Sequence, residues 1–305
     1  MKKIFILLIM VLLLSGIHAQ TGNTDTNYTT RISSLKWMPD GKSILLGVVK
    51  HHKTNNQAPF FSKVFSYNIQ SKELTFLFDD GSNLTTSPDG NIIAFMKRSE
   101  RIRTTIYFYN LITKKQTTIK MDTLGKHGLS WSPDGKKLAY NILNKGAGNS
   151  GVDIFVVDLA TKQVKQITQS SKHKSYDPQW SPDSKRIVYY FEKDDRRDQI
   201  WLTDINGSFH TNLTNDTTTH NYYPSWIDDS TIMYTQSPEN LMMMKADGSK
   251  RQKIEGINAT PVNYNKKANQ FLYIKSEEEN RLMLFDRKTN TAIEMIDGTK
   301  LGYLF

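Results

Sequence analysis

At 305 residues, with 38% hydrophobic and 23% charged residues, 17 Gly and 9 Pro, the chain has an ordinary globular composition and enough length for a full core. That excludes collagenous, coiled-coil and disordered classes. Its 40 Lys and Arg against 30 Asp and Glu leave a charge of +10, and the lack of Cys excludes disulfides, thiol nucleophiles and a lipid-modified cysteine.

Residues 1–19 read as a signal peptide: Lys2 and Lys3 make a basic start, Ile4 to Leu14 an apolar run, and Ala19 precedes the cut. The run is too short to span a bilayer, which takes roughly 20 residues, so no integral membrane segment is expected after cleavage. The mature chain begins at Gln20, with 20–28 as a short linker, and is expected as a monomer in the periplasm or secreted. Losing Lys2 and Lys3 takes the charge from +10 to +8. On an exported protein that charge points away from nucleic acid and towards anionic headgroups, acidic polysaccharide or an acidic protein face.

A repeat fills the rest. Its clearest copy is Trp131-Ser132-Pro133-Asp134-Gly135-Lys136-Lys137-Leu138-Ala139-Tyr140, and the anchors Trp37, Thr86, Trp131, Trp180, Trp226 and Tyr264 step by 49, 45, 49, 46 and 38 residues. Pro fixes φ at the second turn position, Asp caps the turn through its side chain, and Gly takes the left-handed conformation, so each copy is a hairpin leading into a buried strand. A second apolar strand ending in a polar turn follows each anchor: Val64 to Asn68, Ile106 to Asn110, Ile154 to Asp158, Ile200 to Asp204, Leu241 to Lys245 and Leu282 to Asp286. Short final strands are read at Gln166-Ile167-Thr168 and Asn212-Leu213-Thr214. Four antiparallel strands per unit, repeated over 29–305, predict an all-β, six-bladed β-propeller of four-stranded blades.

The Trp-Ser-Pro-Asp-Gly-Lys-x-Leu-Ala-Tyr element followed by Ile154-Phe155-Val156-Val157-Asp158 resembles the WD-repeat-like propeller repeat of the TolB family. The resemblance implies a binding or scaffold module of the bacterial envelope, with an envelope protein or a cell-surface glycan as partner. The repeats also resemble propellers that precede a hydrolase domain, but the segment from Gly298 to Phe305 is too short for one.

No Gly-x-Ser-x-Gly elbow, His-Glu-x-x-His or phosphate-cradling loop occurs, so no catalytic residue, metal or cofactor is assigned. Binding residues are placed in the loops that enter the innermost strands. Tyr176, Asp177, Tyr222 and Tyr223 offer aromatic area with polar tips, and Arg98, Arg101 and Arg103 add a basic rim. His127, His173 and His220 precede an anchor by 4, 7 and 6 residues and could converge on a central channel. Metal-dependent lyases of the oligogalacturonate type resemble this fold and use His in such a place, which makes a polysaccharide lyase the enzymatic alternative.

Overall fold

The structure, a computed structural model, describes residues 27–55, 61–97, 105–120, 125–146, 149–169, 173–192, 197–259, 262–275 and 280–305. The expected signal peptide lies outside the described residues.

Strands come in consecutive quartets. The first holds β1 (Tyr28–Trp37), β2 (Ser43–His52), β3 (Phe61–Asn68) and β4 (Leu74–Asp79). The second holds β5 (Ser82–Thr86), β6 (Ile92–Met96), β7 (Thr105–Asn110) and β8 (Gln116–Lys120). The third and fourth are β9 (Gly125–Trp131), β10 (Lys137–Gly146), β11 (Asn149–Asp158), β12 (Val164–Gln166), then β13 (Lys174–Trp180), β14 (Arg186–Glu192), β15 (Asp198–Asp204), β16 (His210–Asn212). The fifth and sixth are β17 (Asn221–Asp228), β18 (Thr231–Gln236), β19 (Asn240–Lys245), β20 (Gln252–Asn258), then β21 (Val262–Asn265), β22 (Gln270–Lys275), β23 (Arg281–Asp286), β24 (Thr291–Asp297). A 3-10 helix (Gly298–Leu304) ends the chain. Four quartets are separate antiparallel sheets, and the third and fourth share one eight-stranded sheet through a single parallel pair, Val152 with Lys174. The fold is an all-β propeller of four-stranded antiparallel sheets.

The turn chemistry explains the hairpins. In the third quartet Ser132 Oγ donates to Asp134 Oδ1 at 2.6 Å, Lys136 N donates to the same carboxylate at 2.9 Å, and Gly135 takes φ +76. Ser184 occupies the glycine place in the fourth quartet at φ +60. At the matching turn of the second quartet, the Ser87 hydroxyl holds the Asp89 carboxyl below its usual range. Consecutive turns touch: a Cβ on Gly90 would meet Pro39, one on Gly135 would meet Pro88, and Asp134 N donates to Ser184 Oγ at 3.0 Å.

The fourth strands end earlier than expected, β12 at Gln166 and β16 at Asn212. Threonine hydroxyls take over the ladder there. Ile154 N donates to Thr168 Oγ1 at 2.9 Å and Ile200 N to Thr214 Oγ1 at 3.0 Å, so a side chain supplies one ladder bond there, while the Ile154 and Ile200 carbonyls still accept from Ile167 N at 2.8 Å and Leu213 N at 2.7 Å.

The core is divided among the joints between quartets. Among the described residues five hydrophobic clusters are each shared by two consecutive quartets, as where Leu45 and Phe78 meet Phe95 and Tyr109, or where Ile154 and Val156 meet Trp180 and Tyr189. One cluster joins the first quartet to the last: Ile32, Leu46 and Phe65 pack with Leu272, Leu284 and Leu301. Among the described residues that joint exchanges no strand. Instead Asn280 accepts from Ile32 N at 2.9 Å and donates to Thr30 O at 3.1 Å, Asn265 donates to Gly41 O at 3.1 Å, and the terminal helix packs on β1.

Candidate functional site

The first strand of each quartet faces a common channel. β1 lies beside β5 and β21, β5 beside β9, β9 beside β13, and β13 beside β17. A bulge aims the side chains inward. The residue three before the anchor is left-handed in four of these strands: Asn83 at φ +51, Gly128 at +69, Asp177 at +48 and Tyr223 at +52. The strand registers break there, between Ser82 and Thr85, His127 and Ser130, Tyr176 and Gln179, and Tyr222 and Ser225. Such a bulge turns adjacent residues of an alternating strand towards the same face.

The channel cavity measures about 200 Å³ and is lined from all six quartets, with Ser34, Asn83, Gln179, Ser225 and Asn263 giving it a polar wall. Two charges interrupt that wall. Lys36 comes from β1 and Asp177 from β13, each hemmed in by protein yet facing channel solvent. Burial lowers the Lys36 pKa and pushes Asp177 up to about 6, while their mutual attraction opposes both effects.

That shift has a consequence for stability. Below about pH 4 Asp177 is protonated in the folded and unfolded chain alike and costs nothing. As pH rises through 6, the folded protein must ionise a buried group whose unfolded counterpart has already ionised, and stability is lost. Asp177→Asn is therefore expected to match the parent below pH 4 and to exceed it by roughly 1–2 kcal/mol at pH 8, measured by urea unfolding at both pH values. The gain stays below the full linkage value because Lys36 then loses the carboxylate. An equal difference at both pH values would place the titration elsewhere.

Above the charges sits a tyrosine cluster. Tyr176 packs on Tyr190 at 5.2 Å between ring centroids, Tyr190 on Tyr223 at 5.8 Å, and Tyr223 on Tyr222 at 5.1 Å. Burial pushes the Tyr176 hydroxyl up to about 12, with Glu192, Asp198 and Asp177 adding to it. His220 pairs with Asp198 at 3.1 Å beside the cluster, and burial raises the Asp198 carboxyl against that bond. Tyr223 remains 42% exposed.

Of the residues selected from sequence, Tyr176, Asp177, Tyr222, Tyr223 and His220 thus gather at one end of the channel. His173 does not join them. It stacks edge-on against Phe191 in a second groove of about 440 Å³, lined also by Tyr189, Trp201 and His210. His127 stands in β9 opposite Asn141. Arg98, Arg101 and Arg103 lie outside the described residues. Among the described residues no three His, Asp or Glu come together as a metal-ligand set, and no helix is long and apolar enough to cross a membrane.

Sequence reasoning missed Lys36, Tyr190 and the neutral amides. The signal was present in the repeat columns. One residue before the anchors stand Lys36, Thr85, Ser130, Gln179, Ser225 and Asn263, a column with a single charge. Three before them, Ser34, Asn83, Gly128, Asp177, Tyr223 and Pro261 hold a single acid.

A family model, the TolB beta propeller domain, matches residues 127–300. Dipeptidyl-peptidase 5 of Porphyromonas gingivalis is 29% identical over 124 residues, which cover 38% of this chain and 18% of that relative's length. Among solved structures, TolB from Acinetobacter baumannii superposes with a TM-score of 0.59 at 14% identity, covering 88% of this chain and 79% of that one. An oligogalacturonate lyase in complex with manganese gives 0.63 at 17% identity over 87% of this chain and 77% of its own. At such identities the two solved structures show a common fold and no more.

Proposed function

We propose, from the premise that the chain belongs to the TolB beta propeller domain family, that it is an exported, non-catalytic binding module of the bacterial envelope whose partner docks on the tyrosine-rich channel mouth. The reading takes the six quartets as six blades closed into a ring, with the eight-stranded sheet as two neighbouring blades bridged at Val152 and Lys174. The joint between first and last quartets supports that count. Export to the periplasm or medium rests on the basic and apolar start of the sequence. The partner is an envelope protein or a cell-surface glycan, met by a monomer.

One observation carries the choice of surface: Tyr223 is half-exposed while holding a φ of +52, which a bulky residue avoids. Such strain costs of order 1–3 kcal/mol, and at this bulge position, where Asn83, Gly128 and Asp177 stand in other quartets, the backbone gives no reason for a large aromatic. Tyr223→Gly is therefore expected to fold at least as stably as the parent. Combined with Tyr222→Ala it is expected to lose the partner captured from envelope extract by the parent protein. Unchanged capture would move the docking surface to the opposite face, where the Ser-Pro-Asp-Gly turns lie.

The lyase alternative has its support in the fold shared with oligogalacturonate lyases. It requires a stoichiometric metal and turnover of oligogalacturonate by the purified protein. We expect neither; finding both would overturn the binding assignment.

A further inference from the structure

Lys36 and Asp177 enter one small cavity from β1 and β13, strands of the first and fourth quartets. Among the described residues neither charged group has a hydrogen-bonded partner, and they do not close to the 4.0 Å of an ion pair with each other. The attraction each feels from the other acts through space across the channel. A third polar group stands just behind that wall. Asn141 is 1% exposed, and among the described residues neither atom of its amide has a partner. A Cβ on Gly128 would fall 2.4 Å from its Oδ1 and 3.0 Å from the Asp177 Cα, so this amide lies directly behind the channel lining.

Both residues are only partly exposed, and charges partly desolvated in this way are costly unless paired. The residues themselves select what pairs them. An anion would satisfy Lys36 and be repelled by Asp177, and a cation would do the reverse. A neutral sugar would leave both charges without a counter-ion. A ligand carrying one ammonium and one carboxylate satisfies both at once, and the amides of Gln179 and Asn263 can hydrogen-bond what lies between. The cavity, at about 200 Å³, is smaller than the roughly 300–1,000 Å³ of drug-sized ligand sites, so the ligand is small.

We propose that the central channel is a binding site for a small zwitterion of the amino-acid or dipeptide type, its carboxylate held by Lys36 and its ammonium by Asp177. The site adjoins the tyrosine mouth, since Tyr223 lines the same cavity as Lys36 and Asp177, yet the two readings fail separately: one by capture from extract, the other by titration with small molecules.

The test is calorimetric titration of the purified mature protein with glycine, L-alanine, L-glutamate, L-lysine and L-alanyl-L-alanine. N-acetyl-L-alanine, which lacks the ammonium, and L-alaninamide, which lacks the carboxylate, are titrated as blocked partners of alanine. At least one zwitterion is expected to bind with one-to-one stoichiometry, and blocking either end of it should cost about tenfold or more in affinity. Lys36→Met should remove the preference for a free carboxylate, and Asp177→Asn the preference for a free ammonium. The blocked ligands keep the test decisive even if a variant fails to fold. Absence of binding by every zwitterion at about 10 mM, tenfold above a millimolar Kd, overturns the proposal. Equal affinity for free and blocked forms does so as well.

Discussion

Trp180→Ala is expected to cost the fold about 3–5 kcal/mol, the range for truncating a large buried aromatic side chain. Trp180 is 5% exposed and packs with Ile154, Val156, Ile187 and Tyr189, so it fills the joint between the third and fourth quartets. Its Nε1 also donates to Ser130 O in β9 at 3.1 Å, tying one inner strand to the next. Trp180→Phe keeps most of the packing and loses that bond, so a smaller loss of about 1–2 kcal/mol is expected. Trp37 occupies the same repeat position, but among the described residues its Nε1 has no partner, and Trp37→Phe should be close to neutral. Urea unfolding of the three variants checks the ranking. If Trp180→Ala lost no more than Trp37→Phe, the joints between quartets would not be the seat of stability.

The propeller was legible because its instructions are local. Pro, Asp and Gly act within four residues, as the bonds of Ser132, Asp134 and Lys136 show, and the second strands read as continuous apolar runs because neighbours cover both faces. The channel was harder to read because bulges reset the alternation that tells one strand face from the other. Ordinary alternation gives no warning that the consecutive residues Tyr223, Pro224 and Ser225 all line the channel. Choosing candidates by chemical type favoured histidines. The structure puts His173 in a separate groove and gives the channel to a lysine and an aspartate instead. Tyr190 was passed over because it reads as one more apolar position of β14, yet it bridges Tyr176 to Tyr223.

Closure of the ring is the least local feature, and its largest single consequence falls on Asn280. Its side chain is 4% exposed and reaches Ile32 N and Thr30 O, residues about 250 positions away in sequence. Replacing it by Ala strips a donor and an acceptor from two backbone groups of β1 at once. Each buried backbone group left unpaired costs about 1–3 kcal/mol, so Asn280→Ala is expected to lose about 3 kcal/mol. Asn280→Asp should be worse at neutral pH. It keeps the acceptor for Ile32 N but sets a carboxylate oxygen where the amide donated to Thr30 O, at 3.1 Å. That contact raises the folded pKa of the new carboxyl, so stability is lost as pH rises through it and regained as pH falls and the protonated acid donates to Thr30 O. The aspartate variant should therefore approach or exceed the alanine variant below about pH 4 and fall beneath it at pH 7. Gly298→Ala supplies an independent route to the same joint, since its Cβ would lie 2.4 Å from Asn280 Nδ2 and 2.5 Å from Asn280 O. If all three variants unfolded with the parent's midpoint, closure would rest on the packing of Ile32, Leu284 and Leu301 alone, and the amide clip would be a passive passenger of that cluster.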